Sequence, residues 1–216
     1  MSERLHLGVL VSGRGSNLQA ILDAIARGEL AADLRVVVSD QPDAEALTRA
    51  RSRGVETVVL PPGRFRSRLD DSAEAELVRI LQARDVELVV LAGFMRVLHD
   101  TFLGAFANAI INIHPSLLPA FPGLDAQRQA LDYGVKIAGC TVHFVDPGGV
   151  DQGAIIGQRT VPVFPEDSRD LLAARILAEE HRLLVEVIGH FAARRIQRDG
   201  RRVWIAGAVG SPQHHL

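Results

Sequence analysis

Short apolar runs alternate with stretches of helical periodicity along the first two-thirds of the chain. The runs at 5–11, 34–39, 56–60, 87–92 and 109–113 are rich in Val, Leu and Ile with little polar alternation, the pattern of strands buried on both faces. Helical spacing fills the gaps at 17–27, 44–53, 67–84 and 125–133. Strand–helix alternation of this kind predicts an α/β fold: a doubly wound, mostly parallel sheet flanked by helices. Beyond 139 the pattern changes. Two strands, 140–145 and 155–163, are joined by a Gly-rich loop at 146–153. A long helix at 168–193 follows, with Leu172, Ile176, Leu183 and Val187 spaced for one buried face. A hairpin around Asp199-Gly200 and a loose tail from 207 close the chain.

Composition narrows the class. The chain has 216 residues, 47% of them hydrophobic and 23% charged, enough for one domain over 1–216 with a full core. A net charge of -2 sets up no field favouring nucleic acid or an anionic membrane. Arg194, Arg195, Arg198, Arg201 and Arg202 do cluster, but around a turn they read as a solvated hairpin. A single cysteine, Cys140, excludes an internal disulfide and a thiolate metal site, and its strand-like neighbours suggest a buried, inert thiol. No apolar stretch is long enough for a membrane span and the N-terminus has no signal-peptide pattern, so a cytoplasmic protein is expected.

Two strand ends carry candidate chemistry. The first strand ends in Ser12-Gly13-Arg14-Gly15-Ser16-Asn17 and turns directly into a helix. Small residues at a helix N-terminus admit an anion, and the Ser16 hydroxyl can add a donor or cap the helix. The turn is neither G-x-G-x-x-G nor a P-loop, so a single phosphate ester fits better than a dinucleotide; a plain tight turn is the alternative. The strand at 109–113 leads into Asn112, His114 and two prolines, Pro115 and Pro119. Two residues apart on a strand, Asn112 and His114 share a face. A loop aspartate completes the set: Asp151 is preferred, Asp146 competes, and capping of the turn by either is the plain alternative. An amide and an imidazolium beside a carboxylate suit an oxyanion on a tetrahedral carbon. There is no G-x-S-x-G elbow and no H-E-x-x-H, and His143 and His181 read as structural. These residues point to one-carbon or acyl transfer with no covalent enzyme intermediate and no metal. The stretch 91–98 could wall a flat ligand or serve as ordinary core.

The motifs V-S-G-R-G-S-N-L at 11–18, L-A-G-F-M-R-V-L at 91–98, I-N-I-H-P-S-L-L-P at 111–119, F-P-G-L at 121–124 and G-C-T-V-H-F-V at 139–145 occur in one order. From about 5 to 205 the chain resembles the phosphoribosylglycinamide formyltransferases, folate-dependent enzymes of purine synthesis. The resemblance implies the formyltransferase fold and transfer of the formyl group of 10-formyltetrahydrofolate, as co-substrate, to the amine of glycinamide ribonucleotide. It implies a catalytic trio of Asn112, His114 and Asp151, with ribotide contacts at Gly15, Ser16, Asn17 and Glu180. It places folate contacts at Arg68, Met95, Arg96, Val97, Leu98, Asn112, Asp146, Val150 and Asp151. By this reading the N-terminal half holds the ribotide phosphate and the C-terminal half the folate and the catalytic loop. Partners are small molecules, and the protein is a monomer or homodimer. Two departures stand out. The segment from His143 to Asp151 is one residue longer than the family's usual spacing, and Asp125 stands where many relatives have histidine, expected here as a helix cap.

Overall fold

The computed structural model describes residues 4–207 except 62, 64 and 66. The first three residues and the tail expected beyond Gly207 lie outside the described residues. The elements in chain order are β1 (Leu5–Val11), α1 (Ser16–Ala26), β2 (Ala32–Ser39), α2 (Glu45–Ser52), β3 (Thr57–Val59), α3 (Asp71–Gln82), β4 (Leu88–Leu91) and α4 (Asp100–Ala105). They continue with β5 (Ile110–His114), α5 (Ala126–Tyr133), β6 (Ile137–Phe144), β7 (Ile155–Pro162), α6 (Arg169–Ala192), β8 (Ile196–Asp199) and β9 (Arg202–Ile205).

Seven strands form one sheet in the order β3-β2-β1-β4-β5-β6-β7, and β8-β9 form a separate hairpin. Strands β1 to β5 pair parallel, whereas β6 and β7 join antiparallel. Successive strand residues feed opposite layers: Val9 and Val37 pack with α1, α2 and α6, while Leu10, Val36 and Val38 pack with α3 and α4. The strand order reverses between β1 and β4, which opens a crevice at the carboxyl ends of the parallel strands. The phosphate-type turn after β1 and the polar end of β5 therefore lie on the same edge, with only β4 between their strands.

Several elements differ from the sequence expectation. Helix α3 starts at Asp71 rather than 67, because Asp70 caps it through Oδ1 and the preceding residues pair instead with the loop after β4, Arg68 bridging Val97. Helix α4 was not anticipated; six residues are too few to show a period, although Phe102 and Leu103 are buried. Asp125 stands at the first position before α5, but its side chain makes no cap. Its backbone is left-handed (φ 54) and its carboxylate accepts from Arg169 Nε at 2.7 Å. Likewise Gly15, not Ser16, occupies the N-cap of α1.

Candidate active site at the sheet's carboxyl edge

Backbone and side-chain bonds together hold the turn after β1, with Ser12 Oγ donating to Asp40 and Arg49 Nε donating to the Arg14 carbonyl. Ser12 N–H donates to the Gly93 carbonyl, and the Gly13 carbonyl accepts from Ala46 N–H at the start of α2. Gly15 has φ 73, and a Cβ there would come within 2.5 Å of the Ala46 Cβ, so both conformation and space require glycine. The first amides of α1 have no intrahelical carbonyl to bond, as at any helix start, and lie at the carboxyl edge of the sheet. Asn17 in that turn is buried and donates through Nδ2 to Glu180 Oε2 at 2.8 Å. Asn17 Oδ1 is buried and has no partner among the described residues. Burial pushes the Glu180 carboxyl up, and the bond from Asn17 offsets this only in part. Gly15, Ser16, Asn17 and Glu180, distant in sequence, thus form one polar corner suited to hydroxyl and phosphate groups.

Strand β5 runs one residue further than expected and ends on His114. Its antiparallel partner β6 places His143 directly opposite Asn112 and Thr141 opposite His114. His143 Nδ1 faces the Phe144 carbonyl at 2.7 Å, which assigns a proton to that nitrogen. Its Nε2 then lies 3.2 Å from Asn112 Nδ2 and 3.6 Å from Asp151 Oδ1. His143, which reads as structural from the sequence, therefore lies within the candidate site. The signal was the strand register, which places it across from Asn112 and which sequence spacing alone does not give.

His114 is buried between two oxygens. Nδ1 lies 3.3 Å from Asp151 Oδ2, and Nε2 lies 3.0 Å from the Phe121 carbonyl. A doubly protonated ring satisfies both. The Phe121 carbonyl reaches the site because the turn after Pro119 uses left-handed residues at Phe121 (φ 53), Gly123 (φ 80) and Asp125. The same turn lets Gly123 N–H donate to Asp151 Oδ2 at 2.8 Å. Burial pushes the Asp151 carboxyl up, but the Gly123 N–H bond and the charge of His114 help to hold it below the ordinary aspartate value. The expected trio is brought together: Asp151 Oδ2 lies 3.3 Å from His114 Nδ1, Asp151 Oδ1 lies 3.6 Å from His143 Nε2, and that nitrogen lies 3.2 Å from Asn112 Nδ2.

The residues expected to wall a flat ligand divide into two kinds. Met95 and Val97 are exposed on the loop after β4, and Leu98 is buried beneath them. Arg68 bridges Val97 and lies over the Phe65 ring at 3.9 Å. Val150 is exposed on the loop between β6 and β7. The side chains of Arg96 and Asp146 are each already committed within the protein. Arg96 Nε donates to Asp40 Oδ2 at 2.6 Å, in a nearly buried ion pair. Asp146 accepts a bidentate pair from Arg198 at 2.9 and 2.7 Å. That contact leaves Asp151 as the loop aspartate facing His114, and shows that the arginine cluster is not simply solvated. Cys140 is buried as expected, and burial with Glu180 nearby pushes its thiol up to about 12.

Comparison with known proteins gives the same picture. Residues 5–188 match the formyl transferase family. The phosphoribosylglycinamide formyltransferase of Escherichia coli K12 is 41% identical over 97% of each chain. A trifunctional purine biosynthetic protein, adenosine-3, of Drosophila melanogaster is 49% identical over 82% of this chain, which spans 13% of that longer protein. Among solved structures, glycinamide ribonucleotide transformylase 1 from Symbiobacterium toebii is 51% identical, with a TM-score of 0.89 and 95% of each chain covered. A formyltetrahydrofolate deformylase from Burkholderia mallei is 30% identical with a TM-score of 0.84, covering 94% of this chain and 70% of that one. The chain belongs to the formyl transferase family, and within it to the phosphoribosylglycinamide formyltransferases.

Proposed function

We propose that this protein moves the formyl group of 10-formyltetrahydrofolate onto the primary amine of glycinamide ribonucleotide, giving formylglycinamide ribonucleotide and tetrahydrofolate. The observation that carries the reading is the cluster of Asn112, His114 and Asp151 on the same sheet edge as the Asn17–Glu180 corner. Two strand spacings separate β1 from β5, roughly 10 Å, a span that suits a phosphorylated ribose with its amine at the far end. The first amides of α1 would take the phosphate and Glu180 a ribose hydroxyl. The folate would lie against Met95, Val97 and Val150, with Arg68 at its edge and Arg96 and Asp146 contributing through backbone only.

In this scheme the amine attacks the formyl carbon and the carbonyl electrons move onto oxygen. Asn112 donates one N–H to that oxyanion and uses His143 to fix the orientation of its amide. The Nε2–H of His114, given to the Phe121 carbonyl in the structure, is the donor that the oxyanion would take over. Asp151 faces Nδ1 of the same ring at 3.3 Å and fixes its orientation. Collapse expels the folate N10, which gains a proton as the attacking nitrogen loses one, so the step balances without a covalent enzyme intermediate. Each well-aimed donor is worth on the order of 3 kcal/mol of barrier, and holding both reactants in one crevice adds an orientational contribution. We place the reaction in the cytoplasm, with which a buried, unpaired Cys140 is consistent.

The test is formyl release from 10-formyltetrahydrofolate with and without glycinamide ribonucleotide. Release that depends on the amine supports the reading. Release at the same rate without it would make the protein a hydrolase, and no release would make it a binding module.

A further inference from the structure

The loop at 146–153 carries Asp151 yet has little of its own to hold it. Gly148 and Gly149 take φ 120 and 135, Asp151 is left-handed at φ 58, and residues 147–150 are exposed. At its base, Phe144 N–H donates to the Ala154 carbonyl, and a Cβ on Gly153 would fall 1.7 Å from the Phe144 carbonyl oxygen. The β8-β9 hairpin reaches both flanks of the loop. Arg198 grips Asp146 with both terminal nitrogens, donates to Asn108 Oδ1 at 2.9 Å, and lies over the Phe144 ring at 4.7 Å. Arg201 Nη1 donates to the Gln152 carbonyl at 2.6 Å. The Gln152 side chain in turn folds against Gly149.

We propose that the C-terminal hairpin is a clamp on the catalytic loop, with Arg198 and Arg201 as positioning residues that fix Asp151 against His114. The two arginines hold residues 146 and 152, one on each side of Asp151, from a hairpin outside the main sheet. The Arg198–Asp146 pair differs from an ordinary surface ion pair. It is bidentate, both side chains are about four-fifths buried, and an aromatic ring backs the guanidinium. Asp151 needs such restraint, because its contact to His114 is 3.3 Å and a shift of a fraction of an ångström would weaken it. Neither arginine touches the reacting atoms in this scheme; both act through the loop. The proposal rests on the formyl transfer reading for its kinetic arm only.

The experiment compares Arg198→Met, Arg201→Met and the double variant with Arg202→Met, a change at an exposed position on the same hairpin. Backbone hydrogen exchange in 146–153, with α6 as internal reference, is expected to speed up in the first three and not in Arg202→Met. The clamp predicts that kcat falls on the order of tenfold in each single variant, that the folate KM rises, and that the ribotide KM stays within about twofold. Arg198→Asp combined with Asp146→Arg should recover part of the loss seen in Arg198→Asp alone. Unchanged loop exchange in the double variant, or an equal kcat loss in Arg202→Met, overturns the proposal. If Arg198→Met does not fold, Arg201→Met decides, since it removes one exposed bond. Absent amine-dependent transfer in the unaltered protein would fail the functional reading, while the exchange arm still decides the clamp.

Discussion

Asp151 holds a left-handed backbone, which costs a non-glycine residue roughly 1 kcal/mol or more, and its carboxylate accepts from one backbone amide and lies between two imidazoles. Asparagine tolerates the same backbone and keeps the side-chain size. Asp151→Asn therefore tests the charge alone. Steady-state kinetics should show kcat down on the order of 10²-fold or more with the ribotide KM little changed; near-normal turnover would show that the carboxylate charge is dispensable. His143→Phe keeps the ring volume but removes the Nε2 acceptor that orients Asn112. A kcat loss of roughly tenfold at unchanged ribotide KM is expected, and a loss confined to KM would assign His143 to binding instead. At this scale the sequence was partly legible. The two-residue spacing put Asn112 and His114 on one face, but His143 joined them only through the β5–β6 register. Asp151 is preferred over Asp146 already in the sequence, and the commitment of Asp146 to Arg198 agrees with that preference.

Among the elements, the loop after β4 and the turn after β1 meet at one buried carboxylate. Asp40, at the end of β2, accepts from Ser12 Oγ at 2.6 Å, from Arg96 Nε at 2.6 Å and from Gln41 Nε2 at 2.9 Å, while Met95 N–H donates to Ser12 Oγ. Burial pushes the Asp40 carboxyl up, but these bonds and the Arg96 charge hold it below the usual range, so the pair is ionised at neutral pH. Asp40→Ala would leave a buried guanidinium without its counter-charge, at a cost of about 3 kcal/mol. Replacing both partners, Asp40→Ala with Arg96→Met, should recover most of that in denaturant melts. Additive losses in the double variant would mean that the pair is not what holds the two segments together. Elements of this length were legible where periodicity ran long, as in α1 and α6, and not where contacts between loops overrode it. The bridge between Arg68 and Val97 shortened α3, and short α4 left no period to detect.

At the scale of the whole molecule, α6 crosses the sheet and carries Glu180 to the turn after β1, a contact between residues 163 apart. Glu180 falls in the stripe of Leu172, Ile176, Leu183 and Val187, so a charged residue stands at a core position. That interruption of the apolar face was the sequence signal for a site residue, and only the resemblance, not the periodicity, drew attention to it. Its burial has a thermodynamic consequence. A carboxyl raised in the folded state binds its proton more tightly there than in the unfolded chain. The stabilisation is complete below the unfolded value, about 4.3, and is lost as pH rises through the folded value. Glu180→Gln does not titrate and can still accept from Asn17. The melting temperature of this variant relative to the unaltered protein should therefore increase between pH 5 and pH 8, by roughly 2–4 °C for each kcal/mol involved. Ribotide affinity should fall on the order of tenfold, since a charge-assisted acceptor is lost. A melting difference that does not change with pH would show that Glu180 carries the same charge folded and unfolded, and that the fold does not trade stability for its place beside Asn17.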